Sequence, residues 1–429
     1  MKRKIVAIIL MIGLSSMMLL GGCDGVNTLL LGPDAAAADA VEETFIPTTP
    51  PAPETEVVTY NGDYDAAYKD FSFELFKQCY TEGNTMLSPA SVHFALGMAL
   101  AGADGETATQ MNNLLSERIT TEENLVFSRN LANSLMNDTE ESFHIANSLW
   151  TNEAVLPNGM LVDYTTVLTD YFNAECNTLP FNKEATDKIN DWVSRNTMEM
   201  IPRIMEDINP DATAYLINAV AFEGKWEETF EKDMISESTF TSASGETQDV
   251  TMMTETLDGF YENNLATGFM KTYEGGKYAF LAMLPKKNGD LKTFVNSLNA
   301  ENYQEFLDSR DESCQVHIEM PKFTYEYQTS LTSALQTMGM TDAFSDTADF
   351  TKMTGSTSLQ ISDVMQKTFI EVNEEGTRAA AVTSISLECT SATEERFESV
   401  ILNRPFVYAI VDTESGLPIF IGTLNEITP

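Results

Sequence analysis

The stretch that decides the fold is residues 84–98, NTMLSPASVHFALGM, where an extended segment turns into a helix. Ser88 is a favourable N-cap, and Pro89 suits the first helical turn, where a backbone N–H is dispensable. The apolar spacing that follows predicts a helix with a buried face that ends near Gly102. His93 lies inside this apolar pattern, so we expect a core position for it and not a catalytic role.

Helices are predicted in the first half of the domain and strands in the second. The spacing of apolar residues predicts a first helix over 64–79 and an amphipathic helix over 186–205, which Pro202 must kink or end. Strands are predicted over 214–222, 278–284, 316–327, 368–372, 406–411 and 419–424. No repeat and no internal linker divides residues 60–429, which favours one large α+β domain.

The N-terminus is typical of an exported protein. Three basic residues within Met1–Lys4 precede an almost wholly apolar stretch over 5–20, which is the pattern of a signal peptide. The segment ends in Leu20-Gly21-Gly22-Cys23, which resembles the cleavage box of bacterial lipoproteins and predicts lipidation of Cys23. The alternative is an ordinary signal peptide with an accidental cysteine.

This N-terminus predicts three regions in the chain. Residues 1–22 are the lipoprotein signal peptide, residues 23–60 are the lipidated cysteine and an Ala/Pro/Thr-rich tether, and residues 61–429 are the folded domain. We expect an exported domain anchored at a bacterial cell surface, which touches the membrane only through its N-terminal lipid.

Composition and motif searches exclude several functions. With 65 acidic and 25 basic residues the formal charge is −40, which argues against nucleic acid, anionic lipid and polyanionic glycans as partners. The 43% hydrophobic content rules out a mainly disordered chain. The three histidines form no zinc motif, and the sequence has no nucleophile elbow, phosphate loop or dinucleotide fingerprint. We therefore expect no enzyme activity, metal or cofactor, although a catalytic triad dispersed along the chain would leave no such motif.

Four cysteines follow the tether, at positions 79, 176, 314 and 389. Their wide and irregular spacing includes no C-x-x-C pair, so a zinc or redox site is not indicated. Free thiols are the simplest expectation, and the sequence does not say whether any of them pair.

Five motifs in order resemble those of the serpins, a family of serine protease inhibitors, over about residues 64–427. They are Asn84-x-x-x-Ser88-Pro89-x-Ser91-Val92 with Gly102-Ala103-x-Gly105-x-Thr107-x-x-Gln110; Asn218-Ala219-Val220-Ala221-Phe222-Glu223-Gly224-Lys225-Trp226; Pro321-Lys322-Phe323; Glu374-Glu375-Gly376-Thr377; and Asn403-Arg404-Pro405-Phe406 with Gly422. The resemblance implies an α+β serpin fold with three β-sheets, about eight to nine helices and an exposed reactive-centre loop.

Inhibition in this family requires that the cleaved loop insert as a strand into the central sheet. Between Thr377 and Arg404 there is no proline, so every backbone N–H is available for such a strand. From Thr377 to Leu387 every second side chain is small or apolar, whereas Arg378 and Glu388 lie in the opposite set. Because a slip by one residue would bury both charges, the pattern permits one register only.

The resemblance also assigns roles to individual residues. The scissile bond falls within one or two residues of Thr390–Ser391, and the short side chain of Thr390 suits a protease of elastase or subtilisin type. The loop hinge comprises Glu374, Glu375, Gly376, Thr377, Ala379, Ala380 and Ala381. Ser88, Ser91, Asn218 and Gln366 match the shutter of the central sheet, where many relatives have histidine in place of Gln366, and Trp226 matches the breach, where the loop first inserts.

The implied partner is a serine protease, or a cysteine protease, held as a covalent acyl-enzyme by a monomeric inhibitor. No basic helix resembles the heparin sites of some relatives. The alternative is a non-inhibitory serpin that acts as a binding or carrier module, or merely as a protease substrate.

Overall fold

The computed structural model describes residues 6–16, 62–117, 119–136, 143–286, 290–355, 359–377 and 396–428; for 6–16 and 62–63 it describes the backbone alone. The helices in these ranges are α1 (Gly62–Cys79), α2 (Pro89–Ala101), α3 (Gly105–Leu115), α4 (Thr121–Met136), α5 (Val162–Phe172), α6 (Lys183–Asn196), α7 (Leu291–Ser297), α8 (Ala300–Asp308), α9 (Thr332–Thr337) and α10 (Thr351–Thr354). No described helix is long and apolar enough to cross a bilayer.

The strands are β1 (Val6–Ser16), β2 (Thr85–Leu87), β3 (Phe143–Asn152), β4 (Glu175–Leu179), β5 (Ala212–Phe222), β6 (Gly224–Lys225), β7 (Ile235–Thr241), β8 (Thr247–Glu262), β9 (Ala266–Thr272), β10 (Tyr278–Pro285), β11 (Asp311–Pro321), β12 (Phe323–Ser330), β13 (Leu359–Val372), β14 (Gly376–Thr377), β15 (Arg396–Ile401), β16 (Phe406–Asp412) and β17 (Pro418–Leu424). The mixture confirms the predicted α+β class.

These strands form three sheets in the described part of the chain. The central sheet has the order β12-β13-β1-β5-β3-β4, and the second sheet has the order β15-β11-β8-β9-β10-β16-β17-β2, with β7 also paired to β8. A third, two-stranded sheet joins β14 to β6. Three sheets were predicted, and the ten helices in the described ranges slightly exceed the eight to nine expected.

Helix α2 is buried between the sheets. Ser88 caps it as predicted, because the backbone N–H of Ser91 donates to Ser88 Oγ at 3.1 Å. Every residue from Pro89 to Leu100 is buried, so the helix is buried on all sides and not on one face as predicted. His93 is in the core, as expected, with its Nδ1 2.9 Å from Ser128 Oγ.

Two predicted elements were wrong in their extent. The helix expected over 186–205 is α6, which ends at Asn196, well before Pro202, because Met198 and Glu199 adopt positive φ angles of 49° and 61°. The strand expected over 316–327 is two strands in different sheets. They separate at Lys322, so β11 joins the second sheet and β12 the central sheet.

Strand β1 lies at the centre of the central sheet. Residues 1–22 are predicted to be a cleaved leader. In the full-length chain, Val6–Ser16 runs between β5 and β13, antiparallel to both. Leu10 lies opposite Asn218 on one side and Gln366 on the other. A proline-free extended segment can do this because its N–H and C=O groups pair with both neighbouring strands.

Candidate functional site

The hinge segment begins with a tight turn where β13 ends. Asn373 and Gly376 pair across this turn, with the N–H of Asn373 donating to the Gly376 carbonyl at 3.1 Å. The Asn373 side chain closes the turn by accepting from the N–H of Glu375 at 2.9 Å. The chain then pairs through β14 with β6, the short strand that follows β5. The hinge therefore connects the two strands that flank β1.

Gly376 cannot be replaced here without displacing backbone. Its φ of +152° is in the region that favours glycine, and a Cβ at this position would lie 2.2 Å from the carbonyl oxygen of Gly224. The obstacle is backbone and not a side chain that can rotate away. The close approach of β14 to β6 thus depends on glycine.

Trp226 binds the hinge segment through two hydrogen bonds. We call Trp226 and its neighbours Phe230, Lys271, Tyr273 and Thr377 the breach cluster. The indole N–H of Trp226 donates to the Asn373 carbonyl at 2.9 Å, and its backbone N–H donates to the Glu375 carbonyl at 3.2 Å. Its ring stacks on Tyr273 with centroids 4.6 Å apart. Tyr273 in turn places its hydroxyl 2.7 Å from Thr377 Oγ1.

Lys271 is a buried cation within the breach cluster that sequence reasoning missed. Its side chain is 2% exposed, and its ammonium lies 4.6 Å from the Phe230 ring centroid and 5.6 Å from that of Trp226. The ammonium donates to the Glu228 carbonyl at 2.8 Å and pairs with the Glu255 carboxylate. Burial lowers the pKa of Lys271, against the opposing effect of Glu255. The available signal was a lone charged residue, a lysine, in a strand, β9, that is otherwise uncharged.

Glu374 ties the hinge to the neighbouring strand β12. Its carboxylate lies 2.5 Å from Lys322 Nζ, at the residue that separates β11 from β12. Partial burial is the largest single effect and would raise the pKa of Glu374, but hydrogen bonds from Lys322 and the backbone, together with the charges of Lys322 and Lys232, outweigh it and the pKa is lowered. The Glu374 carbonyl also accepts from the N–H of Phe230 at 3.0 Å. The start of the reactive segment is therefore fixed by both backbone and charge.

The shutter cluster lies in the middle of the central sheet and consists of Ser88, Ser91, Asn147, Asn218 and Gln366. Ser91 Oγ donates to Asn218 Oδ1, and Asn218 Nδ2 donates to Asn147 Oδ1 at 2.7 Å. Asn147 completes this chain by donating to the Phe172 carbonyl at 2.7 Å. Asn147 was not predicted. The available signal was a side-chain amide on β3, which pairs with β5, the strand that carries Asn218 of the family motif.

Gln366 makes a separate half of the shutter cluster. Its side-chain amide donates to the Ser88 carbonyl at 3.2 Å, and its Oε1 accepts from the Ser88 N–H at 3.3 Å. Ser88 Oγ donates to the Ile419 carbonyl at 2.9 Å. The start of α2 thus binds β13 through Ser88 and β5 through Ser91. The four predicted shutter residues do come together, as two pairs with β1 between their strands.

Several predicted residues lie outside the described ranges: Cys23, Arg378, Ala379, Ala380, Ala381, Cys389, Thr390 and Ser391. Among the described cysteines, Cys79, Cys176 and Cys314 are free, and burial raises the pKa of Cys79 to about 12, so its thiol is protonated at neutral pH. Within the described residues, no group of three or more His, Cys, Asp or Glu side chains could hold a metal ion.

Comparison with known proteins defines the class. The model of the family "Serpin (serine protease inhibitor)" matches residues 66–427. Intracellular coagulation inhibitor 2 of Tachypleus tridentatus is 30% identical over 375 residues, which cover 84% of this chain and 90% of that protein. Iripin-3 of Ixodes ricinus is 31% identical over 356 residues, covering 80% and 89%.

Solved structures agree with the sequence relatives. The native state of tengpin, a thermophilic serpin, superposes with a TM-score of 0.79 at 35% identity, covering 86% of this chain and 96% of that one. Its latent state gives 0.75 at 33% identity, covering 87% and 100%. The chain belongs to the serpin family. Serpins are generally protease inhibitors that act as suicide substrates and hold the protease as a covalent acyl-enzyme.

Proposed function

We propose that this protein is an exported, surface-anchored inhibitor of serine proteases of elastase or subtilisin type. The protease cleaves the reactive loop at about Thr390–Ser391, the loop inserts into the central sheet, and the acyl-enzyme is trapped. The observation that carries this proposal is the hinge. It leaves β13 by a turn that reverses the chain, and β14 then pairs with β6, the strand that follows β5. In a chain that lacks β1, a strand continuing from β14 would lie between β13 and β5, the position that β1 occupies in the full-length chain.

The register of insertion is supported by Thr377. It is the first residue of the predicted inward-facing set, and it is 1% exposed, with its hydroxyl bonded to buried Tyr273. Continuing the alternation from this point puts Ala379, Ala381, Thr383, Ile385 and Leu387 on the core side. Arg378 and Glu388 then face solvent. About a dozen ladder hydrogen bonds at roughly 1 kcal/mol each provide a driving force on the order of 10 kcal/mol.

Anchoring through Cys23 is a separate part of the proposal and rests on the sequence of residues 20–23 and on the tether over 23–60. A lipid at the start of an extended linker would hold the domain away from the cell surface. The high negative charge of the chain suits a soluble domain displayed in this way and disfavours activation by polyanionic glycans.

The test uses the chain from residue 24 onward, incubated with a purified elastase. We expect a complex that survives SDS and boiling, and mass spectrometry should find the released C-terminal peptide beginning within two residues of Ser391. Thr383→Arg is the matched variant, because a charge on the inward-facing side blocks insertion and leaves the cleavage site intact. It should be cleaved without forming the complex.

Two results would contradict the proposal. Cleavage of the unaltered chain with no stable complex, against a panel of serine and cysteine proteases, would favour the non-inhibitory alternative, a binding module or a substrate. A released peptide that begins far from Ser391 would overturn the assignment of the reactive bond alone.

A further inference from the structure

A cavity lies at the end of the second sheet where β16 begins and β17 ends. Its volume is about 820 Å³, which is within the range of small-molecule sites. Three segments enclose it: the residues that follow α1, the start of α7 and the turn that joins β7 to β8. None of the hinge, breach or shutter residues that the structure describes lines this cavity, so the proposed inhibition does not account for it.

Arg404 brings a cation without a carboxylate partner to this cavity. The residue is half-buried, and one of its guanidinium nitrogens donates to the Pro285 carbonyl at 2.5 Å. Among the residues that the structure describes, Arg404 forms no ion pair, and burial lowers its pKa with no carboxylate opposing this effect. Because a guanidinium has five N–H donors, most of them are available to a carboxylate supplied by a ligand.

Asn425 brings a buried oxygen without a hydrogen bond to the same cavity. Its side chain is fully buried, and its Nδ2 donates to the Gly83 carbonyl at 2.7 Å and to Thr423 Oγ1 at 3.1 Å. Its backbone N–H donates to Asn84 Oδ1 at 2.7 Å, and its carbonyl accepts from the N–H of Ala243 at 2.8 Å. Within the described ranges, no donor reaches the remaining polar atom, Oδ1. Buried polar atoms are rarely left unpaired, which points to a donor that a ligand supplies.

The end of the cavity near Asn425 is negatively charged. Burial is the largest effect that raises the pKa of Tyr80, and the charges of Glu82 and Asp290 raise it further, against the Asn425 side chain, which lowers it. Both carboxylates and the Asn425 side chain therefore lie close to the Tyr80 hydroxyl. In these surroundings a donor to Asn425 Oδ1 is favoured if it is also a cation.

Glu426 adds a third carboxylate to this end. Its Oε1 lies 4.0 Å from the point that a Cβ on Gly83 would occupy, and Gly83 is the residue whose carbonyl accepts from Asn425. The lining has two cations, Arg404 and the exposed Lys292 at the start of α7. A simple anion would suit Arg404 but be repelled at the other end, whereas a molecule with both a carboxylate and an ammonium suits the two ends together.

The order of strands gives the distance between the two ends. The Arg404 guanidinium contacts Pro285, the last residue of β10, whereas Asn425 directly follows β17, and β16 lies between these two strands. Two strand spacings amount to about 10 Å. An extended dipeptide is about 7 Å long, and a hydrogen bond of about 3 Å at each end completes the span.

We infer that this cavity binds a short peptide with free termini, whose carboxylate pairs with Arg404 and whose ammonium donates to Asn425 Oδ1. Leu291 and Pro405 line the cavity and offer apolar surface to the side chains of the peptide. Because recognition is through the two charged ends, the site accepts peptides of different sequence. Binding here is separate from the proposed inhibition, since it involves no part of the reactive loop.

The first experiment varies the ligand and leaves the protein unchanged. The full-length chain carrying Cys23→Ser, produced without export, is titrated with the dipeptide alanyl-leucine, and binding is followed by ligand-observed NMR. Alanyl-leucinamide lacks the carboxylate and N-acetyl-alanyl-leucine lacks the ammonium. Each should have a dissociation constant about tenfold higher than that of alanyl-leucine, as expected for loss of one charge-assisted hydrogen bond. Free leucine, in which one carbon carries both charges, should also bind more weakly.

The second experiment assigns the carboxylate end to Arg404. Arg404→Gln removes the charge but keeps an amide that can donate to the Pro285 carbonyl, so the preference for alanyl-leucine over alanyl-leucinamide should disappear. Arg404→Lys should restore part of that preference. Arg203→Gln is the matched control, since Arg203 pairs with Glu206 at 2.7 Å on the surface, and it should keep the full preference. The preference is a ratio measured on one protein, so a loss of stability does not imitate its disappearance.

Three results would overturn the inference. Alanyl-leucine that does not bind up to its solubility limit would exclude the peptide site. Equal affinities for alanyl-leucine and alanyl-leucinamide, or an equal preference in Arg404→Gln and Arg203→Gln, would exclude Arg404 as the carboxylate partner. Equal affinities for alanyl-leucine and its N-acetyl form would exclude recognition of the ammonium. None of these measurements requires cleavage of the reactive loop, so they stand apart from the test of inhibition.

Discussion

Two segments of this chain suit the same place in the central sheet. One is β1, which occupies it, and the other is the reactive segment 377–388, which must enter it for inhibition. β1 runs antiparallel to β13, and a segment that folds back after β13 would run in that same direction. The first seven residues of β1 are all apolar, whereas in the predicted register of the reactive segment the inward-facing residues are small or apolar and Arg378 and Glu388 belong to the outward-facing set.

This difference shows which properties a segment needs in order to pair between β5 and β13 in a defined register. When β1 is absent, the facing edges of β5 and β13 offer unpaired backbone groups, so any extended, proline-free segment can satisfy them. Side chains determine the register. If a uniformly apolar segment slips by one residue, no charged side chain becomes buried. If the reactive segment slips by one residue, Arg378 and Glu388 become buried. Backbone pairing in the sheet therefore admits either segment, and only the reactive segment has side chains that favour a single register.

Removing β1 should have the largest effect. We compare the full-length chain carrying Cys23→Ser, produced without export, with the chain from residue 24 onward. After loop cleavage, the shorter chain should gain tens of degrees in melting temperature, because each kcal/mol is worth a few degrees and insertion supplies on the order of ten. The full-length chain should gain little, since β1 already fills the space.

Ile9→Pro in the full-length chain is the matched variant for this comparison. Proline removes a ladder hydrogen bond from β1 and should free the space, restoring most of the gain on cleavage. If the full-length chain gains as much as the shorter one without this change, β1 does not compete with the reactive segment.

Asn218→Ala should have an intermediate effect that is equal in both chains. It removes the acceptor of Ser91 Oγ and the donor to Asn147, and leaves buried polar groups unpaired, which costs about 1–3 kcal/mol of unfolding free energy. Since neither partner lies on β1, the midpoint of urea unfolding should fall alike in the full-length chain and in the chain from residue 24. A loss confined to one of them would show that β1 contributes to this cluster.

His93 should give the smallest effect, visible only in acid. Burial lowers the pKa of His93 from 6.5 to about 3, so the unfolded chain binds a proton that the folded chain excludes between these values. Its contribution to stability is complete above pH 6.5 and is lost as the pH falls towards 3, at no more than about 1.4 kcal/mol per pH unit. Urea midpoints across this range should fall less steeply for His93→Gln, whether or not β1 is present. Identical slopes for the variant and the parent would contradict this assignment.

The sequence predicted this fold well where residue type alone restricts the backbone. Ser88 and Pro89 identify the start of α2, and the family resemblance selects Asn218 and Gln366, which lie in the shutter cluster, and Gly376, which lies in the turn after β13. The end of α6 was missed because it depends on left-handed conformations at Met198 and Glu199, which are not glycines. Lys271 was missed because its burial depends on rings supplied by Trp226 and Phe230, from a segment distant in sequence.

The position of β1 was not predictable for a different reason. Its apolar residues indicate an export signal, and apolar residues also suit a strand in a buried sheet. A hydrophobic pattern shows that the segment favours apolar surroundings, but it does not show whether the export pathway or the protein core provides them.

The three tryptophans lie in two distant places, and this gives the molecule a built-in optical reporter. Trp226 stacks on Tyr273 beside the Lys271 ammonium, while Trp150 and Trp192 meet edge to face at 6.1 Å, where α6 packs on the central sheet. Emission from Trp226 should respond to rearrangement at the hinge, and emission from the other pair to rearrangement between α6 and β3. A Trp226→Phe chain recorded alongside the parent would separate these two signals, so that the order of rearrangements after a protease is added can be followed by stopped-flow fluorescence without attached dyes.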